Sequence, residues 1–213
     1  MSKIKLNHSG GNAVSLNPPT DAPASADVAL KLPATVGTAG QVLRNSSTPG
    51  TLEFGGLGGG ITEVDQWRLT ANVTSTQDIT SNIERNALTG SASPLGTGMS
   101  VSSGVFSFPS TGKWMVIAKA KFTIHDSDSV LLQTLVTINN SDYTAVTACN
   151  DGLNDSSGGD RDGGSASFYF LDVTDVSQVK VKFRADSISS GSSVRGLSDN
   201  AETSFIFIRL GDT

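Results

Sequence analysis

Cysteine is almost missing from this chain. Cys149 is the only one in 213 residues, so no disulfide can form within the chain and the fold must hold by packing and hydrogen bonding. A lone thiol of this kind reads as a small buried hydrophobe rather than a nucleophile. Long apolar runs are missing too. No window approaches the ~18 residues of a membrane-spanning helix, and the opening MSKIKLNHSGG lacks the apolar stretch of a signal peptide. Membrane insertion and export by a cleaved leader are therefore not expected. Basic residues are outnumbered, 15 against 20 acidic ones, for a net charge of −5, which argues against a nucleic-acid-binding surface. No stretch carries the i, i+3, i+4, i+7 apolar spacing of a confident helix.

Glycine is plentiful, and it divides the chain. Five of the seven residues in FGGLGGG, Phe54–Gly60, are glycine, as expected of a linker. Before it, Pro18, Pro19, Pro23, Pro33 and Pro49 interrupt regular structure, and apolar residues are scattered. Such a segment buries too little surface to order itself alone. Residues 1–60 are expected to form an extended stem whose short strands pair with other chains, and 61–213 a separate head.

After the linker the sequence reads as strands. From Trp114 to Ile124 the even positions are Trp, Val, Ala, Ala, Phe and Ile, while the odd ones include Lys113, Lys119, Lys121 and Thr123. That is a period of two with one buried face. SVLLQTLVTI (129–138) is dense in apolar residues, SASFYFLDV (165–173) sets Ala166, Phe168 and Phe170 against Ser and Tyr, and QVKVKFRAD (178–186) alternates Val179, Val181 and Phe183 with cations. TSFIFIRL (203–210) is apolar on both faces, the pattern of a strand covered on two sides. The head is expected to be all-β, a sandwich rather than a barrel.

Catalytic chemistry has little to work with. His8 and His125 are the only histidines, Ser-rich loops supply no G-x-S-x-G context, and Glu63, Glu84 and Glu202 are dispersed. The loop NDGLNDSSGGDRDGG offers Asp151, Asp155, Asp160 and Asp162, hard oxygen donors suited to calcium, but in neither the EF-hand spacing nor the Gly-Asp nonapeptide repeat. A calcium site and a solvated loop both remain open. No other cofactor is expected.

The segment LGTGMSVSSGVFSFPSTGKWMVIAKAKFTI resembles the signature of the C1q and tumour-necrosis-factor-like jelly roll. Ser103, Gly104, Phe106, Pro109, Gly112 and Trp114 stand at the positions of that family's corner motif. The resemblance implies a jelly-roll β-sandwich and a homotrimer, with one sheet of each subunit around a threefold axis. Phe205 and Phe207, on the two-faced strand, are the expected contacts at that interface. Independently, Pro109 and Gly112 suit a tight connection between strands, with Phe106, Phe108 and Trp114 filling the sandwich end beside it.

Residues 13–56 are similar to a module of tailed-phage fibre and virion structural proteins, through Val14, Leu16, Pro19, Leu30, Leu32, Pro33, the run Gly37-Thr38 to Gly40-Gln41-Val42-Leu43, and Gly50, Leu52, Phe54 and Gly55. This resemblance implies a non-enzymatic protein on the virion surface. Leu30, Leu32, Val42 and Leu43 would anchor it to the major capsid protein or another virion protein. The short stem favours a capsid decoration protein or head fibre over a receptor-binding tail fibre. An adhesion module holding host cell-surface glycan through Tyr143, Trp67 or the Asp-rich loop is the alternative of another class.

Overall fold

The computed structural model describes residues 4–7, 10, 13–16, 30–56, 60–91, 93–154 and 159–213. The backbone divides into two units, Met1–Gly59 and Gly60–Thr213.

In the first unit, β1 (Ile4–Asn7) pairs antiparallel with β2 (Ala13–Leu16), and β3 (Gln41–Asn45) with β4 (Leu52–Gly56). Leu43 lies opposite Phe54, and Arg44 opposite Glu53, with which it forms an ion pair of 3.1 Å. These strands find their partners within the chain. The expectation that they pair only with other chains is corrected, because a turn at Ser46–Gly50 brings the two halves of the hairpin together locally.

The second unit is a β-sandwich in which every ladder between strands is antiparallel. Its strands are β5 (Val64–Leu69), β6 (Gln77–Asp78), β7 (Ile83–Arg85), β8 (Ser100–Ser102), β9 (Val105–Ser107), β10 (Gly112–His125), β11 (Ser129–Thr137), β12 (Thr144–Gly152), β13 (Asp160–Val173), β14 (Lys180–Asp186), β15 (Ser193–Val194) and β16 (Ser204–Gly211). The first sheet runs β13-β10-β16-β5-β7, with β15 against β10. The second runs β12-β11-β14-β9-β8, with β6 against β14. This is the jelly-roll arrangement.

The corner sits where the sequence suggests. Ser103 and Gly104, both at positive φ, close the two-residue hairpin between β8 and β9. A Cβ on Gly104 would lie 2.0 Å from the Ile79 carbonyl oxygen, so no larger residue fits. Phe108–Thr111 then carries the chain from the second sheet to the first, and Gly112 enters β10 at φ 141°.

The core between the sheets is aromatic. Phe106 meets Trp67, Phe183, Phe205 and Phe207 at ring-centroid distances of 5.5, 5.7, 6.0 and 4.9 Å. Phe183 and Phe205 stack at 4.0 Å across the sheets, and Phe108 leans on Trp114 at 5.1 Å. Phe106, Phe183, Phe205, Phe207 and Trp114 are among the largest fully buried side chains.

Candidate functional site: the outward face of the first sheet

Alternation along β10, β13 and β16 turns one set of side chains into the core and the other outward. On β10 the inward residues are Trp114, Val116, Ala118, Ala120, Phe122 and Ile124, all buried. The register then fixes the neighbours. Trp114 pairs with Leu171 and Val116 with Tyr169, so the inward face of β13 is Ser167, Tyr169, Leu171 and Val173. Phe168 and Phe170 consequently face outward, 58% and 69% exposed. Pairing with β10, rather than the apolar content of the strand, decides which face of β13 is buried.

Phe205 and Phe207 correct a second expectation. Both are fully buried inside a single chain, opposite Ala118 and Val116, so neither is open to a neighbour. The outward residues of β16 are Ile206 and Ile208, each half-buried. They complete two apolar rows across three strands: Phe170–Met115–Ile208 and Phe168–Ile117–Ile206. At the opposite edge of this face, Val64, Gln66, Asn86, Leu88 and Ile206 line a cleft of about 440 Å³. Farther along β10 the face becomes charged, through Lys119 and Lys121, and ends at His125.

The remaining candidates separate. Trp67 is buried, its Nε1 donating to Asp65 at 2.9 Å and the Arg85 guanidinium lying 4.7 Å over its ring, so it cannot hold a sugar from solution. Tyr143 is half-buried under the Lys182 ammonium, 4.4 Å from its ring. Cys149 is buried with its Sγ 3.6 Å from the Ala118 carbonyl, and burial raises its pKa, so it stays a thiol.

The loop acids are drawn to different cations: Asp151 to Arg161, Asp160 to His125, and Asp162 to Lys121 and Arg195. Asp155 lies outside the described residues. Among the described residues, no group of three or more His, Cys, Asp or Glu side chains converges as a metal site. His125 has its Nδ1 2.6 Å from Asp160 and its Nε2 3.3 Å from Asp126. The hydrogen bond to Asp160, aided by the Asp126 charge, raises its pKa above the ordinary imidazole value. Its two ring nitrogens thus face carboxylates, with no serine in the relay that a nucleophile would need.

In the first unit, Leu30, Leu32 and Leu43 are 62%, 73% and 48% exposed, and Val42 is half-buried. Val36 and Phe54 add further exposed apolar surface.

The sequence matches no protein-family model and no curated relative. Its backbone is similar to solved structures. Eiger TNF from S. frugiperda aligns over 70% of this chain and 93% of its own, with 13% identity and a TM-score of 0.55. Murine APRIL, solved at pH 5.0, covers 70% of this chain and 98% of its own, with 12% identity and a TM-score of 0.47. The similarity to Eiger TNF lies in the fold: an all-β, TNF-like jelly roll.

Proposed function

We propose that this chain is a non-enzymatic structural protein of a tailed-phage virion, a homotrimer that projects a jelly-roll head from the particle surface. The observation that carries the reading is the pair of apolar rows on the outward face of the first sheet. Two Phe rings more than half exposed, continuous with Met115, Ile117, Ile206 and Ile208, form a surface that a lone soluble unit would leave in water.

A second copy is the natural cover. The aromatic residues stand on β13 at one edge of the sheet, and the Val64–Leu88 cleft lies at the other edge of the same face. A head-to-tail contact that seats Phe168 of one copy in this cleft of the next is heterologous, and it closes into a ring when the rotation is threefold.

The anchoring role belongs to the first unit. Its similarity to virion modules and its exposed Leu30, Leu32 and Leu43 both support it. The short stem favours decoration of the capsid over service as a tail fibre. The test uses virus particles lacking this protein. Full-length chain should bind them, whereas a fragment of residues 61–213 should fold and trimerise yet fail to bind. Labelling confined to tails would replace decoration by the tail-fibre role. Equal binding by the fragment would remove the anchoring role from residues 1–60.

A further inference from the structure

We infer that the charged end of the first sheet's outward face is a binding site for a hydroxylated carboxylate, of which a uronic-acid sugar residue is the type. Lys119, Lys121, Gly164, Ala166, Asn200 and Glu202 are among the residues lining a cleft there of about 660 Å³. That volume falls in the range of small-ligand sites. The inference stands apart from the assembly reading, because the cleft begins one row beyond the apolar ones.

The floor is made by small residues. Gly164 and Ala166 of β13 lie opposite Lys121 and Lys119 of β10, so the lysines rise beside a strand that offers almost no side chain. One wall is a closed ring of four charges. Lys121 meets Glu202 at 3.0 Å and Asp162 at 3.3 Å, while Arg195 meets the same two acids at 3.0 and 2.8 Å. Thr123 adds a hydrogen bond to Asp162 at 3.0 Å. Two cations and two anions cancel, and each is held by two partners.

Lys119 is left over. Its ammonium reaches only the Ala201 carbonyl, at 3.4 Å, and meets no carboxylate among the described residues. An ammonium has three donors, so it can hold a ligand carboxylate with a charge-assisted hydrogen bond. Glu202 accepts from Lys121 and Arg195, one at each oxygen, and its remaining lone pairs can accept from ligand hydroxyls in the cleft that it lines with Lys119. The lining has no aromatic ring on which a neutral sugar would stack. Recognition therefore has to come from the anion at Lys119, with hydroxyls toward Glu202, and from the stems of the lysines.

Titration of the full-length protein with glucuronate, followed by calorimetry and by amide shifts of Gly163, Gly164 and Ala166, tests this. Binding with a Kd of about 1 mM is expected, as suits a ligand of this size. Glucose, lacking the charge, should bind at least about tenfold more weakly, and Lys119→Met, which keeps the stem, should weaken glucuronate by a similar factor. Asn200→Asp places a like charge at the rim outside the strands and should also weaken it, a check should Lys119→Met disturb folding. Gluconate and a polyglucuronate separate the sources: tighter binding by the polymer indicates a surface polysaccharide, and equal binding by open-chain gluconate a free hydroxy acid. Equal affinity for glucose and glucuronate, no binding of glucuronate at tens of millimolar, or full affinity in both variants overturns the site.

Discussion

Asp65 shows how much one side chain can organise. It is 1% exposed and accepts from Trp67 Nε1 at 2.9 Å, Ser93 Oγ at 2.7 Å, the Met99 N–H at 2.7 Å and the Arg85 guanidinium at 3.1 Å. These contacts tie the connection 86–99 to β5 and fix the indole that faces Phe106. Burial alone would raise the carboxyl pKa; the bonds from Arg85, Ser93, Trp67 and Met99 outweigh it and hold the group below its ordinary 3.8. Asp65→Ala should lower stability by about 3–5 kcal/mol in urea unfolding, since it strands Arg85 and three other donors. A depressed carboxylate stabilises the fold above its unfolded pKa, and that stabilisation is lost as pH falls through the lower, folded value. Wild-type stability should therefore fall more steeply below about pH 3.8 than that of Asp65→Ala, which keeps only the loss from other depressed carboxylates such as Asp78 and Asp128. Nothing in the run VDQW announces this network, because Arg85, Ser93 and Met99 are distant in sequence and reach Asp65 only through the fold.

At the scale of elements, β16 separates core from surface within eight residues. Phe207→Ala should cost about 3–5 kcal/mol in denaturant unfolding, because it empties a site packed against Phe106, Phe108 and Phe183. Ile206→Ala, one position along, should change single-chain stability much less and weaken association instead. The alternations of β10 and β14 were legible, as each sets apolar against charged residues over many positions. So was the Ser103–Trp114 corner, whose Gly and Pro have few other uses. The phase of β13 was not: its two faces differ as Phe and Ala against Ser, Tyr and Leu, and register with β10 decides between them. Strands β6 and β8, reading Gln-Asp and Ser-Val-Ser, are strands only because β14 and β9 lie beside them. The two-sided character of β16 was also visible, but sequence alone could not say which face met its own chain. The charged cleft left no local signal, since Lys119, Glu202 and Arg195 converge from separate strands and loops.

For the whole molecule, the uneven charge agrees with two kinds of work. Residues 1–60 hold four cations against three acids, whereas the rest carries the net negative charge. The head's outward sheet face carries its apolar rows between the Lys113–Asp172 ion pair and the charged end at Lys119 and Lys121, so association and ligand recognition can occupy one surface without competing for the same residues. In the proposed assembly copies of the head meet through Phe168 and Phe170, and sedimentation equilibrium of the full-length protein measures whether they do. At micromolar concentration the wild type should give about 66 kDa, three times the 22.0 kDa chain. Phe168→Asp with Phe170→Asp should give about 22 kDa with an unchanged far-ultraviolet circular dichroism spectrum, since carboxylates at a packed interface are costly but are solvated on a free sheet face. A monomeric wild type, or a doubly substituted protein that still sediments as a trimer, would contradict it.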